Sequence, residues 1–554
     1  MKIPSEATAR EAFFWETVQA CFASRETRAG FYRGLRSYFM FGASEGNTCS
    51  FNKIRPHIDL VTSYLFAAET TKFSVQLDED ASRHDITKLR PLSRRLNNEW
   101  HRSNSDLVFS QALTWSLVHG STFIKLIPKK GAGVVPYLVQ PGQMGVYRED
   151  KGYLDRQEAI AMRYTISKSQ LRRELELINH PKRAQLLAQV TTGKSEDSPL
   201  SSLVQRVVLS QSTPSLIGNV NWQSGADFYR PEIGADMAEM VELWVWDDDL
   251  NDYRTITMGE PGVCVFDRPN IFVPPVKNEK GDIIKVYGEH PFVQICPNPL
   301  SDYFWGESEV ALLTALQDKR EKRTRQIDEL LDKQARPPKA GLGMVGIPEE
   351  SILALSMADG FGQFADPMSK IQEFKPDIPS DLFGRVKQLD EEFLEASGIS
   401  NIMQGKGETG VRSKGQTSEL ARLGAARIKK RALIIEDALE KVASLMMLCI
   451  KIYDADSMKD ENGQPFIADQ FTQDFSVKVD AHSNSPIFVE DQRQFAFQLH
   501  ERNVITREAL LEITQPPMQQ QLIQDLSKIE KAESDEKARE AQMEQQKQGL
   551  KAVK

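Results

Sequence analysis

Hydrophobic residues in the first part of the chain recur every three or four positions, the spacing of an amphipathic helix. This pattern predicts helices over residues 7–41, 52–70 and 86–120, the last ending at Gly120. The first segment is rich in aromatic residues: Phe13, Phe14, Trp15, Phe22, Phe31 and Tyr32. In the second segment, the positions that share one helical face are Ile54, Ile58, Val61 and Leu65. The chain is therefore expected to begin as a set of helices.

After Gly120 the hydrophobic period shortens, which predicts strands separated by glycine-rich turns. The predicted strands are residues 121–127, 135–139, 145–148 and 157–166. Ser167 could then cap a helix over 168–178, and a meander of strands is predicted at 239–266. Residues 180–235 have weak periodicity and are interpreted as a loop-rich insertion. The first 300 residues thus combine helices with short antiparallel strands.

Prolines delimit two helices in the middle of the chain, over residues 306–335 and 380–397. Pro337 and Pro338 end the first helix, because proline cannot continue a helix. The second helix has an apolar stripe and a glycine placed to cap its end: Leu382, Val386, Leu389, Phe393 and Gly398. Residues 339–377, between the helices, are rich in Gly and Pro and too short for a large core. If they form a compact excursion, the two helices must lie side by side.

A glycine-rich polar segment, residues 401–416, precedes a third helix predicted over 417–453 with Thr417 as its N-cap. At about 1.5 Å per residue this helix would be roughly 55 Å long. Its hydrophobic stripe is Ile435, Leu439, Val442, Met446, Cys449 and Tyr453. The remaining predicted elements are a strand at 473–481, helices at 486–502 and 506–513, and a polar helix after Pro516 and Pro517.

The composition is that of a folded globular protein rather than a disordered or collagen-like chain. The chain has 554 residues, of which 40% are hydrophobic, and its length suggests three or four structural units. With 69 basic and 78 acidic residues, the net charge is −9. A strongly basic protein that coats nucleic acid is therefore excluded, and any contact with DNA would come from local patches.

The sequence favours a protein of a reducing cytoplasm, or of something assembled there. Its five cysteines are scattered without CxxC spacing, which argues against a disulfide scaffold or a cysteine zinc site. The N-terminal residues carry acids and have no apolar core, so no signal peptide is expected. The most apolar stretch, Ala432–Ile450, contains four charged residues, so no membrane span is expected.

The nearest approach to a catalytic motif lies within residues 405–417. Gly410–Thr417 reads GxxxxGQT, one residue from a P-loop, but Gln416 replaces the lysine that contacts the β- and γ-phosphates. A P-loop also follows a buried strand, whereas this segment follows a predicted amphipathic helix. We interpret it as a mobile polar loop.

No other pattern indicates catalysis or metal binding. The eight histidines lack HxxxH or HExxH spacing, and GxSxG does not occur. The run Asp390, Glu391 and Glu392 is interpreted as a solvated or intersubunit helix face. The protein is therefore expected not to be an enzyme and to need no cofactor or metal.

Charge is clustered in two places. Residues 405–431 contain eight basic and two acidic residues, in a chain that is acidic overall. The helix at 306–335 has a second basic cluster, interleaved with acids: Lys319, Arg320, Lys322, Arg323 and Arg325. Many of these side chains should meet acids on a neighbouring helix or subunit. Phosphate contact is the competing interpretation, above all for Lys406, Arg412 and Lys414.

The order of these elements resembles the portal protein, or head-to-tail connector, of tailed double-stranded DNA bacteriophages. Four stretches carry the resemblance: residues 107–150 (LVFSQALTWSLVHG…QPGQMGVYRED), 297–338 (PNPLSDYFWGESEV…DKQARPP), 393–453 (FLEASGISNIMQGKGETGVRSKGQTSE…CIKIY) and 479–512 (VDAHSNSPIFVEDQ…TREALLE). Each stretch is loose by itself, and their order carries the specificity. The resemblance implies a helix-rich α+β fold assembled as a ring around a central channel.

The layout of that family then maps onto the chain by position. The implied parts are a wing (1–300), stem helix 1 (301–336), a clip (337–377), stem helix 2 (378–400), a tunnel loop (401–416), a long wing helix with the C-terminal wing (417–515) and a crown (516–554). Cyclic head-to-tail closure requires two different, complementary faces on each subunit.

The resemblance also implies roles for individual residues. The tunnel loop would face DNA through Lys406, Arg412, Lys414, Gly405, Gly407, Gly410 and Gly415. A channel or intersubunit basic cluster would comprise Lys319, Arg320, Lys322, Arg323, Arg325, Arg427, Lys429, Lys430 and Arg431. The clip docking surface would comprise Pro337, Pro338, Lys339, Glu349, Glu350, Asp359, Phe361, Asp366 and Lys370.

The implied function is a dodecameric channel at one capsid vertex, through which DNA is packaged and ejected. The implied partners are further copies of the chain, double-stranded DNA, the terminase large subunit, a head-completion or tail protein, and the capsid and scaffolding proteins. The implied location is the virion, after assembly in the host cytoplasm. Two alternatives stay open: a nucleotide-dependent DNA-processing protein that uses residues 405–417, and a non-portal structural or scaffolding protein.

Overall fold

A computed structural model gives the structure of the chain. It describes residues 1–44, 47, 49–66, 71–77, 83–129, 133–177, 237–259, 262–277, 283–337, 339–342, 370–373, 377–398, 426–453, 475–479, 495–502, 504–505, 507–514 and 525–526. The chain divides into two compact units, one formed by Met1–Thr62 with Phe73–Lys478, the other by Ser63–Lys72 with Val479–Lys554. Helices and antiparallel strands are both present, which confirms the predicted α+β class.

The helices follow the predicted order. They are α1 (Ala7–Cys21), α2 (Arg25–Phe41), α3 (Ile54–Leu65), α4 (Arg83–Arg102), α5 (Ser105–His119), α6 (Lys168–Leu177), α7 (Glu309–Ala335), α8 (Ser380–Ser397), α9 (Ala426–Tyr453) and α10 (Arg507–Thr514). Residues 495–501 are also helical.

The strands include those predicted at 121–127, 135–139, 145–148, 157–166, 239–266 and 473–481, together with others that were not predicted, at 73–77, 276–277, 283–285, 292–295, 339–342 and 370–373. They are β1 (Phe73–Leu77), β2 (Thr122–Lys129), β3 (Gly133–Val139), β4 (Met144–Val146), β5 (Ala159–Ser167), β6 (Met237–Asp247), β7 (Asp252–Gly259), β8 (Val263–Pro269), β9 (Val276–Lys277), β10 (Ile283–Lys285), β11 (Phe292–Ile295), β12 (Lys339–Leu342), β13 (Lys370–Glu373) and β14 (Phe475–Val479).

Two of the predicted continuous helices are interrupted. The segment predicted at 7–41 breaks between α1 and α2, and the one at 86–120 breaks at Asn104, which has a positive φ of 53°. Gly120 ends α5 with a φ of 98°, and a Cβ there would lie 2.7 Å from the carbonyl oxygen of Trp305. Only glycine fits this corner, because the conformation and the close approach both exclude a side chain.

The meander predicted at 239–266 is formed by β6, β7 and β8, and β5 and β4 extend it into one antiparallel sheet in the order β4-β5-β6-β7-β8. Its long central pair aligns Ile160 with Trp244 and Arg163 with Val241. Helix α1 covers this sheet, and Phe14, on α1, lies in its fully buried core. A second antiparallel sheet, in the order β11-β2-β3, contacts α5 and α9.

Helices α7 and α8 pack against each other, as predicted from the short segment between them. Strands β12 and β13, at the two ends of that segment, pair antiparallel from Lys339↔Glu373 to Leu342↔Lys370. On α8 the predicted stripe is buried at Leu389 and Phe393. Gly398 ends α8 in the left-handed conformation, with a φ of 70°. The segment between α7 and α8 therefore has its two ends paired as strands, and the two helices lie side by side.

Helix α9 runs to the predicted end at Tyr453, and its described part begins at Ala426. Its predicted stripe is buried at Ile435, Leu439, Val442, Met446 and Cys449. The Tyr453 hydroxyl donates hydrogen bonds to the carbonyl oxygens of Ile271 and Phe272, at 2.9 and 2.8 Å. The body of this helix is therefore fixed by both apolar packing and polar contacts.

In the second unit, the described helices are residues 495–501 and α10. Both agree with the helices predicted at 486–502 and 506–513. Several predictions lie outside the described residues: the insertion at 180–235, the glycine-rich loop at 401–416, and the polar C-terminal segment apart from 525–526.

Candidate functional site

Three carboxylates fasten the α7–α8 pair to the rest of the first unit. We call them and their partners the helix joint, which consists of Cys49, Ser50, Lys53, His57, Glu309, Gln317, Arg320, Glu321, Asp390 and Arg431. The joint brings together the start of α3, the first half of α7, one turn of α8 and the early part of α9. Four of its residues are cations or histidine placed against the acids: Lys53, His57, Arg320 and Arg431.

The first carboxylate, Glu321, holds the segment that precedes α3 against α7. It accepts hydrogen bonds from the backbone N–H of Ser50 at 3.1 Å and the Ser50 hydroxyl at 2.8 Å. One turn earlier, the Gln317 amide donates to the carbonyl oxygen of Phe51 at 2.9 Å. Burial would raise the pKa of Glu321, but the hydrogen bonds from Ser50, together with those from Arg325 and Cys49, outweigh it and hold that pKa below its usual range.

The second carboxylate, Asp390 on α8, is shared by two cations. Arg320 Nε on α7 donates to it at 2.8 Å, and the Lys53 ammonium also contacts it. Burial opposes ionisation, but these donors and their charges hold the pKa of Asp390 below its usual range. Asp390 therefore fixes how α7 and α8 sit along each other and against the start of α3.

The third carboxylate, Glu309, is buried in the first turn of α7, with 1% of its surface exposed. Arg431 Nη2 on α9 lies 2.7 Å from Glu309 Oε2, and His57 Nε2 on α3 lies 3.3 Å from Oε1. Burial raises the pKa of Glu309, but His57 and Arg431 together hold it below its usual range. The N-terminus of α7 favours the same negative charge, because the aligned backbone dipoles of the helix place partial positive charge at that end. Three helices therefore meet at one carboxylate.

Trp305 and its neighbours form the base of α7. Trp305 is 1% exposed, and its indole N–H donates to Glu149 at 3.0 Å. The Arg28 guanidinium lies 3.7 Å from the centre of the Trp305 ring, and Phe304 packs edge-on at 4.9 Å. Ser308 caps α7 by accepting a hydrogen bond from the backbone N–H of Ala311 at 3.1 Å. The residues that lead into α7 are therefore fixed by aromatic packing next to the helix joint.

The structure separates the predicted basic cluster into paired and exposed members. Arg320 and Arg431 are held inside the chain by Asp390 and Glu309, with 14% and 13% of their side chains exposed. Arg325 is half exposed and pairs with Glu321 on its own helix at 3.0 Å. The exposed members are Lys319, Lys322, Arg323, Arg325 and Lys430. Arg427 and Lys429 lie in the first turn of α9.

The other predicted site residues lie mostly outside the described residues. In the clip set, Pro337 follows the end of α7, while Lys339 and Lys370 lie at opposite ends of the paired strands β12 and β13. The rest of that set lies outside the described residues: Pro338, Glu349, Glu350, Asp359, Phe361 and Asp366. The same is true of the whole tunnel-loop set: Gly405, Lys406, Gly407, Gly410, Arg412, Lys414 and Gly415.

Sequence reasoning did not identify Glu309, His57 and Lys53 as site residues. His57 and Glu309 are 252 residues apart, and Glu309 and Arg431 are 122 apart, so no spacing rule connects them. A weak signal existed, since Ser308 and Glu309 have the form of a helix start. Within the described residues, no cluster of His, Cys, Asp and Glu could hold a metal ion, and no helix has the length and apolar character needed to cross a bilayer.

Helix α9 also carries an acid that opposes folding at neutral pH. Burial, aided by the charge of Glu440 one turn away, raises the pKa of Glu436 to about 7. A carboxyl with a raised folded pKa stabilises the fold below its unfolded pKa, near 4.5, and this stability is lost as the pH rises through 7. We therefore expect Glu436→Gln to stabilise the chain by about 1 kcal/mol at pH 8, after discounting the shift for solvent screening.

Urea unfolding of the Glu436→Gln chain at pH 8 and at pH 4 tests this expectation. The stabilisation should disappear at pH 4, where the glutamate is protonated in both states. Asp437→Asn, at the exposed neighbouring position, is the matched control and should change the unfolding free energy little at either pH. Equal effects of Glu436→Gln at both pH values would contradict the expectation.

The comparisons with known proteins give a structural similarity and no family. No protein-family model matches the chain, and no curated protein matches it. Among solved structures, the chain is similar to one from the virion of a native gene transfer agent (GTA) particle, with a TM-score of 0.39, 10% identity, and coverage of 91% of this chain and 93% of that one. It is also similar to a chain from the neck of an empty GTA particle, with a TM-score of 0.37, 12% identity and the same coverage of 91% and 93%.

Proposed function

We propose that this chain is the portal protein of a tailed-phage-like particle. Copies would form a ring of about twelve at one vertex of the capsid, around a channel that carries DNA in during packaging and out during ejection. The observation that carries the proposal is the α7–α8 pair. The helix joint attaches one end of the pair to the rest of the first unit, while the other end, at the close of α7 and the beginning of α8, is exposed to solvent.

The part of the α7–α8 pair that lies away from the helix joint is largely exposed to solvent. Residues 331–335 of α7 and Arg336, which follows it, are all exposed, and so are most residues in the first turns of α8. Large apolar side chains are among them, with Leu331 at 44% and Phe383 at 46% exposed. Helices depend on tertiary packing for stability, so these faces call for a partner.

A second copy of the chain is the partner that fits these faces. The exposed surface of α7 interleaves Lys319, Lys322 and Arg323 with Asp328 and Glu329, so it can pair with a neighbour of similar composition. A ring needs two different complementary faces on each subunit, and the two sides of an antiparallel helix pair supply them.

The proposal places DNA inside the ring, against the basic segment at 405–431. A channel that lets DNA slide should neutralise few phosphates, because each contact adds affinity and salt dependence. A chain of net charge −9 with one short basic segment suits that requirement. The segment 337–377 would dock the terminase large subunit and later a head-completion or tail protein. Capsid and scaffolding proteins would surround the ring, and the chain itself would have no catalytic role.

Particle mass and symmetry test the ring directly. Native mass spectrometry and negative-stain imaging of the chain, purified alone and after co-expression with a scaffolding protein, should show rings of about twelve copies with a central hole. Monomers or small closed oligomers under both conditions would contradict the proposal. If the chain were then found in virions as a particle without a central hole, the structural or scaffolding alternative would be favoured. If the purified chain bound a nucleotide, the DNA-processing alternative would be favoured.

Replacing Lys406, Arg412 and Lys414 together with Gln should impair DNA packaging while rings still form. The loss follows from removing three phosphate-pairing charges from the segment proposed to face DNA. DNase-protected DNA per particle is the measurement. The matched control replaces three exposed basic residues elsewhere, Lys129, Arg172 and Arg173, with Gln. Equal packaging by the two triple variants would contradict the assignment of the loop to DNA.

A further inference from the structure

The geometry points to Glu309 as a positioning residue that ties the described beginning of α9, which follows the basic segment in sequence, to the base of α7. The expected effect on DNA packaging rests on the proposed function, whereas the positioning itself rests on contacts within the chain. The Glu309 side chain touches α3 through His57 and α9 through Arg431, and it lies in the first turn of α7. Asn298 Nδ2 lies 3.4 Å from the same carboxylate.

The early part of α9 has few other anchors among the described residues. The buried stripe of this helix begins only at Ile435. Before it, Lys430 is exposed and Leu433 is 59% exposed, while Arg431 reaches the buried carboxylate. The Glu309–Arg431 ion pair therefore holds this turn of α9 against the base of α7.

The rest of α9 is fixed independently of Glu309. Lys441 contacts Asp155 beyond β4, and Tyr453 donates hydrogen bonds to the carbonyl oxygens of Ile271 and Phe272. Loss of the Glu309 charge should therefore loosen the first turns of α9 and leave its later turns in place. Loosening of the first turns alone would therefore distinguish the role of Glu309 from a general loss of folding, which would affect the whole helix.

Arg431 connects α9 to Glu309 in this arrangement. Its guanidinium is held by both charge and hydrogen bonding, because it is paired with a buried carboxylate. His57 bonds the other oxygen of the carboxylate, so Glu309 cannot rotate away to solvent without breaking both contacts. A neutral amide at this position keeps the volume of the side chain but loses the charge that holds Arg431. Glu309→Gln is therefore the variant that isolates the positioning role.

Hydrogen–deuterium exchange on the full-length chain tests the mechanism. In Glu309→Gln, amides of residues 428–434 should exchange at least about tenfold faster than in the wild-type chain, equivalent to about 1.4 kcal/mol of local opening free energy. Amides of residues 438–450 should be unchanged. Glu307→Gln, at an exposed position two residues away, is the matched control and should match the wild-type chain. Wild-type exchange at 428–434 in Glu309→Gln would overturn the inference.

Arg431→Met guards against a folding defect in the first variant. It removes the same ion pair from the other side, so it should loosen 428–434 in the same way. Rings of Glu309→Gln should still form and should package less DNA than Glu307→Gln rings. Loosened helix turns with full packaging would overturn the positioning role while leaving the proposed function intact. Absence of rings in the wild-type chain would instead overturn the proposed function.

Discussion

Replacing Trp305 with alanine is expected to lower the free energy of unfolding by about 4 kcal/mol. Trp305 is fully buried at the start of α7, and its ring packs between the guanidinium of Arg28 and the rings of Phe123 and Phe304. Alanine would leave a cavity there, because the backbone around Gly120 and Gly306 is already closely packed. It would also deprive Glu149 of the indole N–H.

Urea unfolding followed by far-UV circular dichroism measures this loss without relying on the fluorescence of the removed residue. Phe383→Ala, which removes a large side chain that is 46% exposed, is the matched control and should cost well under about 2 kcal/mol in the isolated chain. If Trp305→Ala lowered the free energy of unfolding by only about 1 kcal/mol or less, packing around Trp305 would not be a main support of α7.

Replacing Asp390 with alanine is expected to cost about 2 kcal/mol at pH 7, between the values for exposed and fully buried ion pairs. Asp390 is the shared acceptor of Lys53 and Arg320, and both cations would be left facing each other. Its pKa is held below the usual range by these partners. A depressed folded pKa gives stability that is present above the unfolded pKa of about 3.9 and is lost as the pH falls through the folded value.

The difference between Asp390→Ala and the wild-type chain should therefore shrink below pH 4 and vanish at lower pH. Glu391→Ala, at the exposed neighbouring position of α8, is the matched control and should stay within about 0.5 kcal/mol of the wild-type chain. The measurement is the urea midpoint of each chain across a pH series. A penalty in Asp390→Ala that is the same at pH 3 and pH 7 would show that Asp390 acts through packing rather than charge.

Local patterns were sufficient to predict most elements, because periodicity and chain-breaking residues act over a few neighbours. The prolines around α7 and α8, with Gly398 at the end of α8, indicate both helices and their pairing. The break at Asn104 was not predicted, because a left-handed asparagine leaves no clear mark in a helical pattern. The sequence also predicted that many cations of the 306–335 helix would meet acids on a neighbouring helix, and Arg320 does so at Asp390. It gave no indication that Arg431 pairs with Glu309.

By itself the sequence determined the α+β class, the order of the helices and of most strands, and which helix faces are apolar, since these depend on residues close together in the chain. Only the tertiary structure decided which charges are paired and which are exposed. Glu309 meets His57 and Arg431 across separations of 252 and 122 residues. Such pairings depend on how distant elements pack, and the attraction between two charges leaves no periodic trace along the chain.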